Sequence, residues 1–461
     1  MPQLRAARFA SLALALLLSS SLVVRAASSQ ASPQVGFRDR VDLVAVDVRV
    51  SDKDGKPVPG LTADDFSVTL DGQSHPVKGL DYQAFAKGSG ATSSRVVLLV
   101  VDDLSAEPLQ LKGLTTSAQQ MLTTLDEADM VGVVTTSGFG PAVAPTRDRA
   151  AVMAALTSKD VAGRLGARQT KPFVGVSEAF DMVRTGGNKD VGSKVVEREC
   201  SPGSGGGGSR SRTGSGGGSG GGAKPDEVCT AGVVVMARAV ATAGEQRTAR
   251  QIAAYSRAID SLSAAAGSRT VVALSGGIAL PLGTSDALEI LGRRASEAGV
   301  AFYGLVSIDE SDLATETSSD RSKARRDENA FLANGLASMA LAAGGDAFRV
   351  VGTADRFFER IVGDTTSVYR LGVEAPSGGA PKRYLAAKVS SKRAGLTLHA
   401  SAQASRPSVP DATLPAPDAL KQRVEQLEAE PGMDRKAALK QAARERGLGK
   451  REAYKQLLRE R

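Results

Sequence analysis

"SSRVVLLVVDDLSAEP", Ser93 to Pro108, carries six consecutive apolar residues, Val96 to Val101, that end on two carboxylates, Asp102 and Asp103. A short, continuous apolar run bounded by polar residues reads as a strand buried on both faces. Such a strand needs helices above and below it. The loop that follows sets an acid, a hydroxyl and an acid at alternate positions, Asp103, Ser105 and Glu107. Hard oxygen donors clustered at a strand end suit a divalent cation or the polar groups of a partner.

On the carboxyl side of this strand, helical and strand patterns alternate. Helical spacing fills Leu109–Leu125, and "MVGVVTTSG" from Met130 gives a second strand. Helices follow over Asp148–Leu156, Phe173–Arg184 and Ala231–Ala265. Then come strand Thr270–Leu274, helix Asp286–Ala298, strand Val300–Ile308, helix Glu328–Ala343 and a short strand in "GGDAFRV". The helix Ala354–Val362 ends the series. This alternation predicts an α/β domain over residues 93–363, a doubly wound, mostly parallel sheet with helices on both faces. A Gly/Ser-rich stretch, 201–223, interrupts it and buries nothing, so it reads as a loop.

Both flanks are β in character. In 41–92, "VDLVAVDVRVS" leads to Asp54-Gly55, and "FSVTL" leads to Asp71-Gly72, two strong turn signals. Thr62 before Ala63-Asp64-Asp65 reads as the start of one helical turn. Strands return in 364–402 with "SVYRLGVEAP" and "KRYLAAKVSS". Strand-rich segments before and after an α/β domain predict a β-sandwich built from both, with the α/β domain inserted. Residues 403–418 are proline-rich and read as a linker; 419–461 is a helical tail.

The first 26 residues read as a secretory signal peptide. Arg5 and Arg8 precede the apolar run Phe9–Val24, and Val24-Arg25-Ala26 offers a cleavage site after Ala26. An uncleaved anchor is the alternative. Residues 27–40 are polar and loose. The expected location is therefore secreted or periplasmic. The two cysteines, Cys200 and Cys229, bracket the Gly/Ser stretch. An oxidising compartment favours a disulfide between them, against two unpaired thiols. The net charge of +8 is concentrated in the leader and the tail, so it does not describe a basic body.

The order of these pieces, with "VVDDLS", "AGGDAFRV" and "YRLGVEAP", resembles the secreted bacterial von Willebrand factor type A-related group over roughly 41–402. The resemblance implies a metal-ion-dependent adhesion site on three strand-end loops. Carried over, Asp103 and Ser105 match the first loop, where Glu107 replaces a second Ser. Thr170 is the candidate for the second loop. Ser275, in "LSGGI", stands in the third, where an Asp is expected and absent. The implied metal is Mg²⁺ or Ca²⁺ held by Asp103, Ser105 and Thr170. Three readings stay open: a metal site, a metal-free partner-binding site on the same loops, and a structural role for Asp102 and Asp103.

Enzyme chemistry has little to draw on. The two histidines, His75 and His399, fall in the β flanks, so a nucleophile triad or a His-based zinc site lacks its parts. The expected function is a non-enzymatic interaction or adhesion module with a protein partner bound through Asp103, Ser105, Glu107, Thr170 and Ser275. A metal-dependent hydrolase is one alternative. The other lies in the tail, "MDRKAALKQAARERGLGKREAYKQLL", which resembles the helix-turn-helix appendage of bacterial ribosomal-RNA methyltransferases. Its Lys450, Arg451 and Lys455 would meet an acidic surface, with nucleic acid the less favoured partner in an exported protein.

Overall fold

The computed structural model describes residues 43–85, 94–161, 172–184, 189–201, 226–281, 284–308, 320–376, 383–405, 424, 427 and 435–445. The expected signal peptide (1–26), Thr170, residues 202–223 of the Gly/Ser stretch, and Lys450, Arg451 and Lys455 lie outside them.

Two sheets organise the chain. The first is built from the flanks: β1 (Leu43–Ser51), β2 (Phe66–Leu70), β3 (Gln73–His75) and β4 (Val77–Ala84) from the amino side. The carboxyl side gives β11 (Ser367–Glu374), β12 (Tyr384–Ser391), β13 (Thr397–Ala400) and β14 (Gln403–Ser405). Their order is β3-β2-β12-β14-β1-β11-β4, with β13 also on β1, and neighbours are antiparallel. The second sheet holds β5 (Arg95–Val101), β6 (Met130–Thr135), β7 (Val143–Thr146), β8 (Ser268–Ser275), β9 (Val300–Ser307) and β10 (Ala347–Val350). Its order is β10-β9-β8-β5-β6-β7.

This architecture overturns the expected fold class, a doubly wound, mostly parallel sheet inserted in a β-sandwich. The flanks do not stack as two sheets. They curl into one nearly closed, barrel-like antiparallel sheet. The reason lies in β1. Its Val44, Val46, Val48 and Val50 all point to one core, shared with Phe66, Val68, Leu70, Tyr369, Leu371 and Leu385. Because β1 pairs with β11, β13 and β14 in turn, the strands wrap around that core, and no second sheet faces it. The central sheet is mixed: β7 runs antiparallel to β6 at one edge, while the other neighbours are parallel. The expected linker also begins too early, because residues 403–405 form β14 against β12.

Local chemistry explains the turns. Asp71 and Gly72 between β2 and β3 have φ of 49° and 83°, the left-handed pair of a tight hairpin. Tyr369 locks the barrel by donating to Val58 O at 2.7 Å and accepting from Leu61 N at 3.1 Å.

Nine α-helices are described. On one face of the mixed sheet lie α1 (Pro108–Thr124), α2 (Arg149–Thr157) and, past β10, α8 (Asp355–Asp364), packed on Leu99, Val101, Val133 and Val272. The other face is covered by α5 (Glu227–Ser261), α6 (Ser285–Ala298) and α7 (Asp320–Ala342), over Leu98, Val100, Val271 and Phe302. Helices α3 (Val176–Val183) and α4 (Lys189–Cys200) form a satellite core with the first half of α5. There Cys200 and Cys229 are joined in a disulfide, as expected for an oxidising compartment. A short helix, α9 (Arg435–Glu445), packs Ala438, Ala442 and Ala443 against Val424 and Leu427.

Candidate binding site at the strand ends

The chain passes from β5 to β6 on one side and later returns to β8 on the other, so the sheet order switches direction at β5. In open α/β sheets the crevice beyond the carboxyl ends of the strands at such a point is where ligands bind. The loops after β5, β6 and β8 meet there.

Asp102 is their hub. Its amide still donates to Leu274 O at 2.8 Å, which holds the residue against β8. Its carboxylate is fully buried, 0% exposed. Oδ1 accepts from Thr136 Oγ1 at 2.8 Å and Leu104 N at 3.3 Å. Oδ2 accepts from Gln251 Nε2 at 2.6 Å, Ser275 Oγ at 2.6 Å, Tyr255 OH at 3.2 Å and, at closer range, Ser105 Oγ. A buried charge is tolerated when it is hydrogen-bonded in this way. Burial, and then the Asp102 charge, push the Tyr255 hydroxyl well above its ordinary pKa, so it remains a donor.

Asp103 turns toward the β6 loop. It accepts from Thr136 Oγ1 and Ser137 N, each at 2.9 Å, and from Ser137 Oγ. The single Thr136 hydroxyl thus sits between two carboxylates. Ser105 Oγ stands 3.1 Å from Ser275 Oγ and accepts from Gly276 N at 3.1 Å, tying the β5 loop to the β8 loop. A Cβ at Gly276 would stand 2.6 Å from Ser105 O, and Gly277 has φ of 102°, so "SGG" is the sequence that lets the loops approach.

The structure brings together Asp103, Ser105 and Ser275 from the sequence-based set. Glu107 does not join them. It is the exposed residue that precedes α1, with its amide donating to Gln110 Oε1 at 2.9 Å and Pro108 at the first helical position. Sequence reasoning missed Asp102 as the centre, the hydroxyls Thr136 and Ser137, and Gln251 and Tyr255 from α5. One signal was present: Gln251 and Tyr255 are four residues apart, polar groups on an otherwise Ala-rich buried helix face.

The described residues do not fit a divalent ion as they stand. Every Asp102 and Asp103 oxygen already accepts from protein donors, Glu107 lies outside, and the β8 loop supplies no carboxylate. Among the described residues no cluster of three or more His, Cys, Asp or Glu is arranged to hold a metal.

Two large apolar side chains stand exposed close to this network in the chain. Phe139, in the β6 loop, is 80% exposed, and its amide donates to Ser137 Oγ at 3.1 Å. Leu109, in the first turn of α1, is 83% exposed. No protein-family model matches the chain, and the curated proteins contain no match to it.

Proposed function

We propose that the chain is an exported, non-enzymatic interaction module that binds a protein partner, without a metal ion, at the loops after β5, β6 and β8. This is the activity implied by its resemblance to secreted von Willebrand factor type A-related proteins. The observation that carries it is a saturated polar hub, Asp102, with two exposed apolar side chains close to it in the chain. Asp102 holds three loops in one arrangement, Phe139 stands exposed on the loop after β6, and Leu109 stands exposed in the first turn of α1. A pre-ordered loop cluster loses little entropy when a partner docks, and aromatic anchors supply much of the binding energy. The Cys200–Cys229 disulfide supports placement outside the reducing cytoplasm, in a secreted or periplasmic setting.

The test is site-specific photo-crosslinking in the cells that make the protein. A photoreactive residue at position 139 or 109 should give one defined adduct. The same residue at Ile290, half-exposed on α6, should not. No adduct at 139 and 109, or an identical adduct at 290, refutes the proposal. Saturable Mg²⁺ binding by calorimetry would refute its metal-free form.

A further inference from the structure

Two carboxylates converge on the start of α3, and they are held differently. Gly175, the residue before the first turn, donates its amide to Glu178 Oε2 at 3.0 Å. The next amide, Val176 N, donates to Glu328 Oε1 at 3.1 Å, and Glu328 belongs to α7. A Cβ at Gly175 would stand 3.4 Å from Glu328 Oε2 and 3.5 Å from Glu178 Oε2, so both acids crowd one point. A helix start attracts negative charge, but it carries the equivalent of only about half a positive charge.

Glu178 has a counter-charge in contact and Glu328 does not. Arg198 of α4 grips Glu178 at 2.6 and 3.0 Å. Among the described residues no cation lies within ion-pair distance of Glu328. The charged groups that face it are Glu178 from α3, Arg247 from α5 and Arg325 from its own helix. On α4, Arg198 is engaged with Glu178 and Glu199, and Glu199 also with Arg321. Burial is the largest influence on the Glu328 carboxyl. With repulsion from Glu178 it raises the pKa above the ordinary range; the bond from Val176 N and the two arginines offset this only in part. The same helix carries the Phe331 ring, edge-on to Phe180 of α3 with centroids 6.3 Å apart. It also carries the Leu332 carbonyl, which accepts from Ile278 N, just past the "SGG" loop, at 3.0 Å. The α3–α7 contact thus lies one helical turn from the β8 loop.

We propose that Glu328 is an acid-closed latch between α3 and α7. Protonated, its carboxyl still accepts from Val176 N and no longer repels Glu178. Charged, it either stays buried beside a like charge or separates from α3 and meets water. The closed form binds the proton more tightly than the open form, in which the carboxyl is solvated. Closure is therefore favoured fully below the ordinary glutamate value, about 4.3, and that gain is lost as pH rises through the latched value. Glu199, on the neighbouring helix, works in the opposite sense. Its carboxyl lies below the ordinary range, so its contribution is complete above that range and is lost only in stronger acid. The two acids of this small unit thus act in separate pH windows.

The experiment is amide hydrogen exchange on the full, disulfide-bonded chain, read as protection factors for Val176–Val183 between about pH 5 and about pH 8. Relative to α1, protection of α3 should fall at least about twofold as pH rises. Glu328→Gln keeps the oxygen acceptor without the charge, and it should hold α3 at its low-pH protection throughout. Glu359→Gln, exposed on α8, should leave the wild-type profile unchanged. Protection that does not fall with pH, or that falls equally in Glu328→Gln, overturns the proposal. So does the same levelling of the profile by Glu359→Gln. If Glu328→Gln does not fold, Arg325→Gln, at an exposed position, decides it. That change removes a cation that favours the charged carboxyl, so the loss at high pH should deepen. An unchanged or shallower loss overturns the proposal.

Discussion

Asp102 and Arg49 are both buried charges next to a sheet, and the chain treats them oppositely. Asp102 is surrounded by donors from four separate segments and has nothing left to offer a ligand. Among the described residues Arg49 Nε has no hydrogen-bond partner, and the residue lines a cavity. A third case calibrates the two. Arg95, at the start of β5, is as buried as Arg49 but is clasped by Asp129 at 2.5 and 3.1 Å, with Nη1 donating to Val362 O. At Arg95 a buried arginine is therefore given a full set of partners. Asp102 and Arg95 are saturated by protein partners, and Arg49 Nε is not.

The sharpest way to break that contrast is Asp102→Ala. It leaves hydroxyls and an amide from three loops and α5 without an acceptor, and it should lower stability by at least about 4 kcal/mol in urea unfolding. A loss under about 1 kcal/mol would show that the hub is not structural. Asp129→Ala comes next, at about 3–5 kcal/mol, because it strands the Arg95 charge beneath the sheet. Gly276→Ala should lower stability by about 1–3 kcal/mol, since the new methyl meets the Ser105 carbonyl. Arg49→Gln should have the smallest effect, within about 1 kcal/mol, as its Nε makes no hydrogen bond among the described residues. An effect as large as that of Asp129→Ala would place Arg49 with the structural charges.

Acid provides an independent probe. Burial alone would raise Glu199, but bonds from Arg321, the Phe173 amide and Arg198 outweigh it and hold its carboxyl below the ordinary range. Its folded pKa lies below its unfolded one, so its stabilisation is complete above the unfolded value, about 4.3, and is lost as pH falls through the folded value. Glu199→Gln should therefore flatten the acid limb of the pH–stability curve measured on the disulfide-bonded chain. An unchanged limb would show that this carboxylate is not a paired structural charge.

Some of this was legible in the chain. The run Val96–Val101 announces a strand buried on both faces because nothing polar interrupts it, and it is the centre of the mixed sheet. Asp71-Gly72 announces its hairpin because its backbone conformation favours those residues. The barrel was not legible. Alternation in β1 says that one face is buried, but a sandwich and a barrel bury the same face. What separates them is the pairing of β1 with β13 and β14, set by curvature across distant segments. At the site, Asp103 and Ser105 were visible as a spacing pattern. For Asp102 a structural role was one of the open readings, but nothing in the spacing marks it as the centre. Here β5 ends at Val101, so both carboxylates turn in the loop and reach the same Thr136 hydroxyl.

The barrel's composition also sets a timetable for synthesis. Arg370 of β11 must find Asp47 of β1, 323 positions earlier. At cellular synthesis rates of about 5–20 residues per second, β1 waits roughly 15–65 s for its partner to emerge. During that interval β1 to β4 present open edges with a valine-rich face, the kind of surface that pairs with the wrong chain. The α/β layer can meanwhile complete itself, since all its strands lie between the two barrel halves. Newborn chains should therefore need shielding over their amino-terminal strands until the last barrel segment arrives.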